Sequence, residues 1–256
     1  MRAKSSTLNS GSKETASFSK LKQSVLSFTA SVLSGLGFTR RPHALDHEIS
    51  RKKMVANDLK PRGIVDPLVL QAMLRVPRHL FVDPETIDLS YKDRALPFQE
   101  GQTLSQPYMV ALMTQSARLA PGDRVLEVGT GSGYQAAVLA EISGQVFSLE
   151  IIETLADQTT AMLSRLGYTN IHTRQGDGYR GWAEAGPFDA ILVTAAAPKI
   201  PQPLIDQLKM GGRLVMPLGN NPRFQDLVVF TKSETGIEKE SVAAVVFVPM
   251  TGEVRQ

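Results

Sequence analysis

From about residue 54 the chain alternates short apolar runs with longer segments of helical period. Asp66-Pro67 reads as an N-cap followed by proline at the first helical position, opening a helix through Leu68, Leu70, Met73 and Leu74 that stops before Pro77. A loop-rich stretch follows through Pro84, Pro97 and Gly101, and Pro107 opens a second helix to about Leu119, ended by Pro121-Gly122. The pattern then repeats as strand, turn, helix. Arg124–Val128, Val146–Glu150, Ile171–Gln175, Ala190–Val193 and Arg213–Leu218 read as strands, and Tyr134–Ile142, Glu153–Leu166 and Pro203–Leu208 as helices. The continuous apolar run Ala190–Val193 suits a central parallel strand. Gly211-Gly212 reads as punctuation, and Leu227–Thr231 and Val242–Val248 read as two paired strands around Ser233–Gly236. This order predicts an α/β fold: a doubly wound, mostly parallel sheet with an antiparallel C-terminal edge.

The N-terminal fifth is different. Residues 1–53 carry ten Lys or Arg and three acids, a net charge of +7, in a background rich in Ser, Thr and Lys. The whole chain carries +3, so residues 54–256 carry −4, and the basic balance gives no electrostatic case for nucleic acid at the body. Such composition buries too little apolar surface to offset chain entropy, so residues 1–53 are expected to be a disordered basic extension and 54–256 the folded domain. Leu21, Val25, Phe28 and Val32 do recur at helical spacing. That leaves two further readings for the extension, a membrane-surface or partner-binding helix and an organelle-targeting presequence. The 256 residues contain no cysteine, which excludes disulfides, thiolate metal sites and a cysteine nucleophile. The four histidines form no metal-ligand pattern: His43 and His47 lack a third ligand, His79 suits a structural hydrogen bond, and His172 falls in a strand. Trp182 reads as packing.

Chemistry concentrates in Glu127-Val-Gly129-Thr130-Gly131-Ser-Gly133-Tyr134, which follows a strand and opens a helix. Glycines there allow a tight turn and close backbone approach to a ligand. Glu150 ends the next strand 21 residues after Gly129, where nucleoside-binding folds place a carboxylate on ribose hydroxyls. A dinucleotide loop needs glycine or alanine where this chain has Tyr134. The spacing G-x-G-x-G behind an acid instead resembles the S-adenosylmethionine loop of class I methyltransferases. Asp177-Gly178, after the third strand, can accept from an adenine amine or can be an ordinary turn.

Six segments then occur in order: Val76-Pro-Arg-His-Leu-Phe-Val82, Gly101-Gln-Thr-Leu-Ser-Gln-Pro-Tyr-Met109, Arg124–Leu139, Gly176-Asp-Gly178, Phe188–Pro198 and Gly211-Gly-Arg-Leu-Val-Met-Pro217. Over about residues 54–252 the chain resembles the bacterial-type protein-L-isoaspartate (D-aspartate) O-methyltransferases. The resemblance implies a Rossmann-like sheet with extra N-terminal helices. It implies methyl transfer from S-adenosylmethionine to the free α-carboxylate of L-isoaspartyl and D-aspartyl residues in damaged proteins, with repair through a succinimide. Ser105 matches the active-site serine, Gln102, Thr103 and Leu104 flank the transfer site, and all four are expected among the cofactor-binding residues. Glu127, Gly129, Thr130, Gly131 and Gly133 match the cofactor loop, Glu150 the ribose-binding acid, and Asp177 with Gly178 the adenine-side pair. Taken alone, Ser105 could equally cap the helix opened by Pro107.

Two departures bear on substrate range. Phe98-Gln99 stands where the family often has Ile-Gly, and Val246 stands where many members carry a basic residue before Phe-Val-Pro. Val246, with Thr103 and Leu104 beside the transfer site that the resemblance implies, is a candidate substrate-binding residue. The departures keep open a related methyltransferase acting on another carboxylate or small molecule. A non-catalytic cofactor-binding homologue is the further alternative. The expected cofactor is S-adenosyl-L-methionine, leaving as S-adenosyl-L-homocysteine, with no metal. The expected partners are isoaspartyl-containing proteins and peptides, and the chain is expected to be a cytoplasmic monomer.

Overall fold

The computed structural model describes residues 44–255. The helical period at Leu21–Val32 lies outside them. Residues 44–53, which composition places with the basic extension, form with Met54 the helix α1 (Ala44–Met54). Met54 at its end is buried and His47 stacks on His79 at 4.1 Å, so packing decides what charge content could not.

The next helices are those the pattern predicts. In α2 (Pro67–Arg75) Asp66 caps the N-terminus, its Oδ1 accepting from Leu68 N–H at 2.8 Å. A two-residue hairpin, β1 (Leu96–Pro97) with β2 (Thr103–Leu104), interrupts the loop-rich stretch. After it α3 (Pro107–Ala117) ends on Arg118 in the left-handed conformation. Then follow β3 (Arg124–Val128), α4 (Tyr134–Ala140), β4 (Gln145–Glu150), α5 (Glu153–Arg165), β5 (Ile171–Gln175), β6 (Phe188–Val193), α6 (Gln202–Asp206), β7 (Leu208–Asn221), β8 (Phe224–Ser233) and β9 (Gly236–Val245).

The sheet order is β5-β4-β3-β6-β7-β8-β9, with β5 through β7 parallel and β8 antiparallel to both neighbours. Two apolar clusters cover its faces. One joins Val125, Ala190, Leu192 and Val215 to α2, α3 and α4; the other joins Leu126, Val128, Ile191 and Val193 to Leu204, Leu214 and Phe230. The strand period of two divides these residues between the faces.

Two boundaries differ from the sequence reading. Gly211-Gly212 lies inside β7 rather than ending an element, because β7 shifts register against β6 between Phe188 and Ala190. A side chain at Gly212 would press on the Lys209 carbonyl, and Gly211 sits at φ +77. The last strand spans Gly236–Val245, so polar Glu238, Lys239 and Glu240 are in it while Val246–Val248 leave it. An edge strand pairs on one side only, and exposed charges suit it because they oppose edge-to-edge association.

Candidate active site

The chain reverses its winding at β3. The connection β3–α4–β4 leads one way in the sheet, and β6 lies against the other side of β3. The crevice beyond the carboxyl ends of β3 and β6 is where open α/β sheets bind ligands. A cavity sits there, lined by Gln102–Ser105, Val128–Ser132, Leu149–Ile152, Gly178, Thr194 and Val248–Thr251, among others.

The glycine loop forms its floor through backbone bonds to both neighbouring strands. Gly129 and Thr130 N–H donate to the Leu149 carbonyl at 2.8 and 3.1 Å, and Thr194 N–H donates to the Val128 carbonyl at 2.9 Å. Gly129 lies at φ +98 and its Cα faces the Thr194 hydroxyl, so no side chain fits there. At Gly178 a Cβ would collide with the Val128 side chain. The backbone at these two positions is thereby bared to the cavity.

Glu150 closes the cavity at the end of β4. Its Oε2 accepts from Gly131 N–H at 2.8 Å and its Oε1 from Ile152 N–H at 3.1 Å. Two backbone donors fix the carboxylate and leave acceptor capacity on both oxygens, since an ionised carboxylate has about four lone-pair sites.

Glu127 is placed differently. It is fully buried beneath the loop and away from the cavity wall. Ser148 Oγ donates to its Oε2, and Thr130 Oγ1 lies 2.6 Å from Ser148 Oγ, while Oε1 has no partner. Burial pushes the Glu127 carboxyl up to about 8. Glu127 therefore supports the loop through Ser148 and Thr130 and presents no face to a ligand in the cavity. Gly133 is likewise off the wall; at φ +79 it lets Thr159 and Leu163 of α5 approach α4. Asp177 caps the turn after β5. Its Oδ1 accepts from Tyr179 N–H at 2.9 Å and its Oδ2 from Glu253 N–H at 2.8 Å, so it tethers the C-terminal segment beside Gly178.

The opposite wall comes from two distant segments. The β1–β2 hairpin delivers Gln102, Thr103, Leu104 and Ser105. The residues after β9 cross back over β6, where Ala196 N–H donates to the Val248 carbonyl and Met250 N–H to the Ala196 carbonyl, both at 2.8 Å. Gln106, not Ser105, occupies the N-cap position of α3, and no side-chain capping bond is made there; the Gln106 amide is turned to Asp93 instead. Val246 is 69% exposed and off the wall. Phe98 and Gln99 lie in the hairpin's connecting loop, where Phe98 N–H donates to the Gln102 carbonyl at 2.9 Å and Gln99 Nε2 to Asp83 at 3.2 Å. They shape the hairpin rather than the cavity.

Gln135, Thr194 and Val248–Thr251 also line the cavity and carry no short-range sequence signal. Gln135 Nε2 donates to Thr114 Oγ1 at 2.9 Å. The remaining motif residues are structural. His79 Nδ1 lies 2.7 Å from the Tyr91 hydroxyl, with burial holding its imidazole down to about 4. His172 stacks on Phe147, and Trp182 packs edge-on to the same ring.

A glycine floor at the switch point of the sheet and a fixed carboxylate at the end of the next strand are the arrangement of a class I S-adenosylmethionine-dependent methyltransferase. Residues 49–255 match the model of the family described as protein-L-isoaspartate(D-aspartate) O-methyltransferase. The protein-L-isoaspartate O-methyltransferase of Gloeobacter violaceus is 50% identical over 203 residues, covering 79% of this chain and 99% of that protein. That of a Synechococcus strain is 53% identical over 206 residues, covering 78% and 84%. Among solved structures, a protein-L-isoaspartate O-methyltransferase superposes with a TM-score of 0.73 at 31% identity, covering 80% of this chain and 67% of that one. A Plasmodium falciparum protein described as a protein-L-isoaspartate O-methyltransferase, solved in complex with S-adenosyl-L-homocysteine, superposes with a TM-score of 0.67 at 29% identity over 80% of this chain and 98% of that one. The chain belongs to the protein-L-isoaspartate(D-aspartate) O-methyltransferase family. Its activity is carboxyl methyl transfer to L-isoaspartyl residues.

Proposed function

We propose that the cavity binds S-adenosyl-L-methionine and that the Gln102–Ser105 wall presents the isoaspartyl α-carboxylate to it. The observation that carries this reading is the meeting of two unlike walls in one cavity: the bared glycine floor with Glu150, and the hairpin edge with Ser105. The residues fit the cofactor. Glu150 keeps acceptor capacity for ribose hydroxyls, Gly129, Thr130 and Gly131 line the floor, and Gly178 bares backbone on the adenine side. Asp177 acts there by holding the strap that ends at Glu253. The cofactor supplies a sulfonium-activated methyl group.

The acceptor α-carboxylate has an ordinary pKa near 3.5 and is ionised at neutral pH, so its attack requires no general base. The protein must align oxygen, carbon and sulfur in line. Ser105 donates its hydroxyl to one carboxylate oxygen, leaving the other to attack, while Thr103 and Leu104 hold the flanking substrate backbone and Gln102 borders the cofactor. Val246 is not assigned to substrate contact, since its side chain is exposed and does not line the cavity. As parts of the same proposal, the chain acts as a cytoplasmic monomer on isoaspartyl proteins, without metal or nucleic acid. None of its described helices is long and apolar enough to cross a membrane.

The test is methyl-label transfer from S-adenosylmethionine to an isoaspartyl peptide and to its aspartyl twin. Labelling of the isoaspartyl peptide alone is expected. Equal labelling of both, in a chain that binds S-adenosylhomocysteine calorimetrically, would overturn the assignment of the wall.

A further inference from the structure

The Val76–Val82 motif contains an arginine that the reaction above leaves unused. Arg78 is wholly buried, yet it forms no ion pair among the described residues. Its Nε donates to the Ser90 carbonyl and its Nη2 to the Ser105 carbonyl, both at 2.8 Å, and its Nη1 has no partner. The guanidinium lies over the Tyr134 ring, 4.7 Å from its centroid. Asp93 acts on it through space, but that carboxylate is spent elsewhere, on Arg62, Gln106 and the Tyr108 N–H. Guanidinium stays protonated even when buried. A buried cation held by two carbonyl dipoles and the Tyr134 side chain, all of them uncharged, is costly and lacks a dedicated countercharge.

We propose that Arg78 is a positioning residue for the reaction, fixing the Ser105 backbone and drawing the substrate's α-carboxylate onto the Ser105 wall as the missing countercharge. The geometry supports both halves of this role. The fork is bonded directly to the residue that meets the carboxylate, and burial leaves its field weakly screened by water. The charge stays behind the wall and outside the reacting atoms. It favours the charged ground state of the acceptor, so its removal acts on substrate binding more than on turnover.

This inference rests on the assignment of the wall to the isoaspartyl carboxylate. The experiment uses the full chain, Arg78→Gln and Arg78→Lys, an isoaspartyl peptide, and the same peptide with that α-carboxylate capped as an amide, read as an inhibitor. Wild type should methylate the isoaspartyl peptide; if it does not, the underlying assignment fails before Arg78 is in question. Arg78→Gln is expected to raise KM for the peptide about tenfold or more, with kcat, S-adenosylhomocysteine affinity and inhibition by the neutral amide each within about threefold of wild type. Arg78→Lys, which keeps the charge and loses the fork, should restore most of the KM. An unchanged KM in Arg78→Gln overturns the proposal. So does equal weakening of acid and amide peptides, which would mean that Arg78 only props the hairpin. If Arg78→Gln does not fold, Arg78→Met, which removes the charge and leaves no unpaired ion in the core, takes its place: selective weakening of the acid peptide upholds the role, and an unchanged KM or parallel weakening of both peptides ends it.

Discussion

The two walls of the cavity are built in opposite ways. The floor, Val128–Ser132 and Gln135 with Glu150, comes from one strand–loop–helix unit and the strand that follows it. Its shape is set locally, by glycines at positive φ and by backbone bonds to the adjacent strands. The facing wall joins Gln102–Ser105 to Val248–Thr251, segments more than 140 residues apart that meet only because β6 lies between them. The floor has redundant support from a continuous sheet. The facing wall is held by discrete ties between separate segments: Arg78 to Ser105, the paired bonds of Ala196 to Val248 and Met250, and Asp177 to Glu253. Cofactor binding should therefore be sensitive to backbone geometry, and substrate turnover to individual side chains.

Gly129→Ala strikes the floor directly. A methyl group there must displace the Thr194 hydroxyl while the backbone stays left-handed, so affinity for S-adenosylhomocysteine is expected to fall about 100-fold or more, equivalent to about 3 kcal/mol. Near-normal binding by calorimetry would show that the floor is not rigid.

Glu127→Gln probes the support beneath the floor. The folded chain holds a proton on Glu127 up to about pH 8, whereas the unfolded chain gives it up near 4.5. The folded pKa is raised, so this contribution to stability is full below pH 4.5 and is lost as the pH climbs toward 8. The glutamine variant has no such proton to lose. Its stability advantage over wild type should grow between pH 5 and pH 8, on the order of a few kcal/mol in denaturant titrations. Parallel pH profiles for the two proteins would mean that Glu127 is ionised in the fold.

On the facing wall, Ser105→Ala should lower kcat about 10–100-fold while cofactor affinity stays within about threefold. Loss of cofactor affinity with kcat preserved would move Ser105 to the floor's side of the comparison. The smallest expected effect is at Val246→Lys. This exposed side chain lies off the wall, and KM for an isoaspartyl peptide should stay within about twofold. A larger change would show that the rim beyond the wall takes part in recognition.

Much of the floor was legible in the chain because its determinants lie close together. The strand Arg124–Val128, the glycine spacing and Glu150 form one periodic unit, and strand, turn and helix signals agree over it. Agreement stopped short of side-chain direction. Glu127 and Glu150 both end or nearly end strands and both match cofactor acids, yet Glu127 is buried behind the loop while Glu150 faces the cavity. A strand turns alternate residues to opposite faces, and only the packing of α3 and α4 decides which face is closed. Val246 shows the same limit, because it lies just past the point where β9 leaves the sheet, a point its apolar run conceals.

By itself the sequence determined the alternating α/β order, the glycine loop, the cofactor class and the family. These follow from local propensity, periodicity and short-range spacing, which are properties of neighbouring residues. It also determined that no thiolate takes part. Only the tertiary structure decided that residues 44–53 pack as a helix, that Val248–Thr251 closes the cavity, and that Arg78 lies buried against Ser105 without a countercharge. Those facts depend on contacts between residues far apart in the chain, whose meeting is set by sheet order and burial.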